Sequence, residues 1–139
     1  MPTPADQPPR VLVCDDNRDT AEMLVAILEL AGCTTEMVED PQAAVARAEA
    51  FKPDVAILDL DLRGHPINGY DVARALRAEP ALEDLVLVAF SGHVSPENRI
   101  AAMAAGFDRF IAKPAQPAEL LAAMPYLRPV PPGKPAALQ

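Results

Sequence analysis

Val55-Ala56-Ile57-Leu58-Asp59 is a short apolar run closed by an acid, and three other runs in the chain likewise deliver a polar or charged residue at their ends. Val11-Leu12-Val13-Cys14 leads into Asp15-Asp16, Leu85-Val86-Leu87-Val88-Ala89-Phe90 delivers Ser91, and Phe107-Asp108-Arg109-Phe110-Ile111 delivers Lys113 ahead of Pro114. The runs ending at Cys14 and Asp59 are short, aliphatic and bounded by polar residues or Pro, the pattern of a parallel strand buried on both faces. In an open α/β sheet the carboxyl ends of the strands are where ligands sit. If these four ends share one rim, that rim holds three acids, a hydroxyl and an ammonium. Clustered acids ask for a cation, and the whole set suits the handling of a phosphoryl group on a carboxylate.

Helix-like segments alternate with the strands. Arg18 or Asp19 opens a helix with Ala21, Leu24, Val25 and Leu28 on one stripe, and Ala31-Gly32 closes it. Thr34-Thr35-Glu36-Met37-Val38 reads as an edge strand. Asp40-Pro41 supplies a cap and a first-turn proline for an Ala-rich helix running to about Phe51, which Lys52-Pro53 stops. After Asp59, a loop through Gly64, Pro66 and Gly69 leads to a helix expected to bury Val72, Ala73 and Leu76. Ser95-Pro96 caps another, expected to bury Ile100, Met103 and Ala104, and a last helix carries Leu120, Leu121, Met124 and Leu127. This βα alternation predicts an α/β fold: a five-stranded parallel sheet in the flavodoxin-like order 2-1-3-4-5, with helices on both faces. In that order the third strand is central, and the ends of strands one, three, four and five are neighbours.

The chain has 139 residues, enough for one domain without a disulfide or structural metal. Cys14 and Cys33 lack metal-ligand spacing and are expected as isolated thiols in a reducing compartment, a bridge between them being the minor alternative. The formal net charge of -8 argues against nucleic acid and against an anionic membrane surface, leaving proteins as the expected partners. Residues 1–9 lack the basic start and apolar stretch of a signal peptide, and no apolar run approaches the ~20 residues of a membrane span. A cytoplasmic location is expected. Residues 1–9 and 129–139 are Pro-rich and read as flexible tails around a domain at 10–128.

Asp15, Asp16, Asp59, Ser91 and Lys113, with Phe110 before the Lys and Pro114 after it, resemble the signature of response-regulator receiver domains of two-component signalling. The fragments that carry this are Val11 to Asn17, Pro53 to Asp59, Phe90-Ser91-Gly92 and Phe110-Ile111-Ala112-Lys113-Pro114. The resemblance implies that Asp59 is the phosphorylated nucleophile and that Mg²⁺ is held by Asp16 and Asp59 directly, by Asp15 mainly through water and by the Asp61 carbonyl. Such a hard ion prefers oxygen ligands and keeps several waters. It further implies that Lys113 and Ser91 contact the phosphoryl oxygens, that Ser91 and Phe110 form the switch, and that Lys113-Pro114 is a cis peptide. Gly92 is expected to keep the approach open because it adds no side chain. The loop Asp61 to Gly69 departs from the family pattern in being longer, with Arg63 where a Pro commonly stands.

Taken singly, these residues have plainer readings: Asp15-Asp16 as a helix cap, Ser91 as a turn former, Lys113 as a solvated lysine and Phe110 as strand packing. His65 and His93 read as loop residues, His93 near the mouth of the site. As the resemblance has it, the phosphoryl donor is a histidine kinase or a histidine phosphotransfer protein. The chain then acts as a switch that catalyses its own phosphorylation and dephosphorylation. Output is expected by contact, to a protein target or a second copy, through the face of the fourth helix, fifth strand and fifth helix. A phosphorelay intermediate, a phosphate sink and a segment of a hybrid histidine kinase are the alternatives, with a constitutive interaction module the least favoured.

Overall fold

The computed structural model describes residues 7–61 and 68–124. Five strands, β1 (Arg10–Cys14), β2 (Thr34–Val38), β3 (Val55–Asp59), β4 (Val86–Ser91) and β5 (Arg109–Ala112), form one parallel sheet in the order β2-β1-β3-β4-β5. The five helices are α1 (Arg18–Leu30), α2 (Ala44–Phe51), α3 (Gly69–Arg77), α4 (Pro96–Ala105) and α5 (Pro117–Ala122). This is the predicted fold, with β3 central and buried along its whole length.

Strand alternation divides the core. Val11, Val13, Val55, Ile57, Val88, Phe90 and Ile111 face one side, where they meet Ala21, Leu24 and Leu28 of α1, Leu120 of α5 and Met124 just beyond it. Leu12, Cys14, Ala56, Leu58, Leu87 and Ala89 face the other, against α2, α3 and α4. A bridge between the cysteines is therefore excluded by geometry: Cys14 and Cys33 are both free and buried, in cores on opposite faces of the sheet.

Local chemistry sets the element ends. Asn17 caps α1 by accepting from the Thr20 N–H at 3.0 Å, Ser95 caps α4 from the Asn98 N–H at 3.1 Å, and Asn68 and Asp71 form a reciprocal capping box on α3. The segment after Asp40 differs from expectation: Pro41–Ala43 is a 3₁₀ turn, and the α-helix starts only at Ala44. β5 is likewise shorter than the run from Phe107 suggested. It begins at Arg109, although the Asp108 N–H donates to the Leu87 carbonyl at 2.8 Å; the Asp108 carboxylate accepts from the Leu87 N–H at 2.8 Å and pairs with Arg77. The last helix stops at Ala122, and Leu127 lies outside the described residues, as do most of the lengthened loop with Arg63, Gly64, His65 and Pro66, and nearly all of both tails.

The largest correction concerns α4. Its buried residues are Ala102 and Ala105, whereas Ile100 is 69% and Met103 57% exposed, and Ala104 also faces out. The expectation assigned the largest apolar side chains to the core. The space against the sheet is already filled by Phe107 and partly by Phe110, so only alanines fit beneath the helix.

Gly69 begins α3 directly behind the end of β3, where a Cβ would lie 2.6 Å from the Asp59 carbonyl oxygen and 2.9 Å from a Leu60 methyl. Gly69→Ala should therefore cost about 1–3 kcal/mol in urea denaturation, the usual scale of overpacking. Burial pushes the Cys14 thiol up to about 12, with the Asp15 and Asp59 charges adding to the effect, and the Cys33 thiol up to about 11. Alkylation by iodoacetamide at pH 8 should be roughly a hundredfold slower in the folded protein than in urea, because only the thiolate reacts.

Candidate functional site

Parallel register brings the four strand ends together. Cys14 pairs with Leu58, Asp59 with Phe90, and Ser91 with Ala112, so the residues that follow β1 and β5 flank Asp59 and Ser91. The Lys113 N–H donates to the Ser91 carbonyl at 2.8 Å, extending the ladder past the end of β5. The Lys113-Pro114 peptide is cis.

Asp15, Asp16 and Asp59 converge, each offering an oxygen within 4.8 Å of the others. Asp15 and Asp59 are buried, at 1% and 2% exposure, and Asp16 is half-buried. Asp15 Oδ1 accepts from the Asn17 N–H at 2.8 Å, but its buried Oδ2 has no hydrogen-bond partner. Burial drives the Asp15 carboxyl well above the usual carboxylate range. The Asn17 N–H opposes this shift, and the Asp59 charge adds to it. An orphaned buried carboxylate oxygen beside two other acids is the donor set that a hard divalent cation satisfies, and the cluster fits Mg²⁺.

Lys113 approaches from the other side, its Nζ donating to Asp59 Oδ1 at 2.9 Å and lying 5.2 Å from the Phe90 ring centroid. Burial pulls the Lys113 pKa down, yet the hydrogen bond to Asp59 and the charges of Asp59, Asp15 and Asp61 outweigh it and raise the value. The ammonium is thus firmly protonated. Asp59 Oδ1 also accepts from the Asp61 N–H at 2.8 Å, so both bonds fall on the same oxygen.

Asp61 sits apart from the three-acid cluster. Its Oδ1 accepts from the Ser91 hydroxyl at 3.0 Å, its Oδ2 accepts from the Gly92 N–H at 2.9 Å, and Lys113 Nζ stands 3.6 Å from Oδ2. Partial burial pushes its carboxyl up, but the bonds from Gly92 and Ser91 and the charges of Lys113 and His93 hold it below the ordinary value. The Ser91 hydroxyl also accepts from the His93 N–H at 3.0 Å, and the exposed His93 ring lies 3.9 Å from Asp61. A Cβ at Gly92 would meet nothing nearer than Asp61 Oδ2 at 3.6 Å. Its N–H therefore matters here more than the openness expected from the missing side chain.

Phe110 pairs in register with Ala89, two residues before Ser91, and so faces the same side of the sheet. It is half-buried, and the Arg99 guanidinium of α4 lies 4.9 Å from its ring centroid. Sequence reasoning did not single out Arg99, or the part Gly69 plays behind Asp59. The first carries no motif signal. The second had one, a Gly directly after a capping Asn.

The model of the response regulator receiver domain matches residues 11–125. The DNA-binding response regulator MtrA of Mycobacterium tuberculosis (strain ATCC 25618 / H37Rv) is 36% identical over 113 residues, covering 81% of this chain and 47% of that protein. The phosphate regulon transcriptional regulatory protein PhoB of Pseudomonas aeruginosa is 32% identical over 112 residues, 81% of this chain and 48% of its own. The chain thus spans about half the length of these curated relatives. Among solved structures, the chemotaxis response regulator CheY4 of Vibrio cholerae superposes with a TM-score of 0.77 at 26% identity, covering 84% of this chain and 95% of that one. The receiver domain of NtrX from Brucella abortus superposes with a TM-score of 0.74 at 28% identity, over 81% and 92% of the two chains. The family match begins inside β1 and runs past the end of α5, and the chain belongs to the response regulator receiver family.

Proposed function

We propose that the chain is a phosphorylation-controlled switch whose Asp59 accepts a phosphoryl group from a histidine kinase or histidine phosphotransfer protein, and which signals by protein contact. The observation that carries this reading is the placement of the buried Asp59 carboxylate between two unlike neighbours. On one side are Asp15 and Asp16 with an unsatisfied oxygen, and on the other the Lys113 ammonium at 2.9 Å. A Mg²⁺ ion on the three acids supplies charge neutralisation for the anionic phosphoryl oxygens.

The chain's own residues do the rest. An Asp59 carboxylate oxygen attacks phosphorus as the donor P–N bond breaks, and the departing imidazole nitrogen keeps the electron pair. Lys113 stabilises the charge on the transferring group and then holds the aspartyl phosphate as an ion pair. The Ser91 hydroxyl and the Gly92 N–H donate to phosphoryl oxygens. Phosphoryl-bound Ser91 moves inward, and Phe110, on the same face of the sheet, turns into the space it leaves. Self-catalysed loss of the phosphoryl group by water attack completes the cycle.

Output follows from what α4 exposes. Ile100 and Met103 lie one turn apart on its outer surface, with Val94 48% exposed just before the helix. Arg99, on the same helix, stacks on Phe110. A change in the Phe110 ring therefore reaches an apolar surface fitted to a protein partner or a second copy. Phosphorylation shifts an existing two-state equilibrium of α4 and β5. The chain's net charge of -8 argues against direct contact of this domain with nucleic acid. Among the described residues, no helix is long and apolar enough to cross a membrane.

Wild-type protein with Mg²⁺ and acetyl phosphate should gain one acid-labile phosphoryl group by mass spectrometry, whereas Asp59→Asn, or wild type with excess chelator, should gain none. Equal labelling of wild type and Asp59→Asn would overturn the assignment. Phe110→Ala should take label almost as wild type does while losing most of the response beyond the site. With beryllofluoride, amide shift changes between Ser91 and Gln116 should shrink to those nearest Asp59, and any phosphorylation-linked gain in partner binding, typically about 1–3 kcal/mol, should fall.

A further inference from the structure

We infer that Asp61 is a tethered competitor of the phosphoryl group: its carboxylate occupies the oxyanion donors of the site, and a phosphodonor must displace it. This inference rests on the assignment of Asp59 as phosphoryl acceptor and adds a gate to that reading. Three donors face the mouth beside Asp59, and Asp61 engages all of them. The Ser91 hydroxyl donates to Oδ1 at 3.0 Å, the Gly92 N–H donates to Oδ2 at 2.9 Å, and the Lys113 ammonium is 3.6 Å from Oδ2. A carboxylate and a phosphoryl group present the same chemistry to these donors, namely anionic oxygens that accept charge-assisted hydrogen bonds.

The tether is short. Asp61 stands two residues after Asp59 and its N–H donates to Asp59 Oδ1 at 2.8 Å, so its carboxylate reaches the donors without travelling. The Ser91 hydroxyl is fixed on both sides, since it also accepts from the His93 N–H at 3.0 Å. In the unphosphorylated protein Ser91 therefore already holds an anion. The cost falls on the incoming donor. Apparent affinity drops by the fraction of molecules with the donors open, so a latch closed nine times in ten lowers the rate with a small anionic donor about tenfold.

Two variants separate occupancy from mere charge while keeping the backbone carbonyl of residue 61. Asp61→Ala removes both the acceptor atoms and the charge, and Asp61→Asn removes the charge but keeps one acceptor oxygen. The second-order rate constant for labelling by acetyl phosphate with Mg²⁺ should rise about tenfold in Asp61→Ala, with Asp61→Asn between it and wild type. In the metal-free protein the Gly92 amide proton should move upfield in Asp61→Ala, because it loses a bond to a carboxylate. A rate unchanged or lowered in Asp61→Ala, equal gains in the two variants, or an unmoved Gly92 amide would each overturn the inference. If no form takes label on Asp59 at all, the parent assignment fails instead, and the Gly92 shift still decides whether the latch exists.

Discussion

Mutual repulsion among carboxylates is the constraint around which this molecule is organised. Asp15, Asp16, Asp59 and Asp61 crowd one rim, and the Lys113 ammonium is the cation placed among them in the described residues. At an effective dielectric near 20, two like charges about 4 Å apart repel by roughly 4 kcal/mol, an appreciable share of the stability of a domain this size. The structure offsets this through Lys113, through backbone N–H groups of Asn17, Asp61 and Gly92 aimed at individual oxygens, and through the raised pKa of Asp15. The arrangement favours an incoming cation, since the repulsion that destabilises the free site is relieved on loading.

A parallel sheet makes such crowding attainable. Every strand points the same way, so each carboxyl end contributes to one rim, and the register places Asp59 beside Phe90 and Ser91 beside Ala112. Residues separated by 54 positions, Asp59 and Lys113, come within hydrogen-bond distance. The main-chain bond from Lys113 to Ser91 ties the residue after β5 to the end of β4.

The strands and their order were legible because apolar runs bounded by breakers are a strong local signal, and the rim residues because each stands at the end of such a run. The phase of α4 was not. Which side of that helix faces inward depends on what already fills the interior, and Phe107 and Phe110 do so from another element; the ranking of Ile100 and Met103 by hydrophobicity contains no information on that competition. The 3₁₀ turn at Pro41–Ala43, set by an exposed cap, escaped as well, as did the side-chain contacts of Asp108 with Leu87 and Arg77, which lie some twenty to thirty residues away in the chain. Asp61 was expected at the metal through its carbonyl, whereas the partners of its carboxylate lie across the sheet, about thirty residues on, and only the fold brings them to it.

The alanine floor of α4 has an evolutionary corollary. Ala102 and Ala105 anchor the helix through little more than methyl contacts, while Ile100, Met103 and Ala104 point outward and support nothing in the interior. Substitution at the outward positions is thus decoupled from folding, so selection can change the surface chemistry of this helix without renegotiating the core. A paralogue could diverge in what this surface presents after duplication while inheriting the rim of the sheet intact, and the same separation gives protein engineers a place to alter the domain without touching its core.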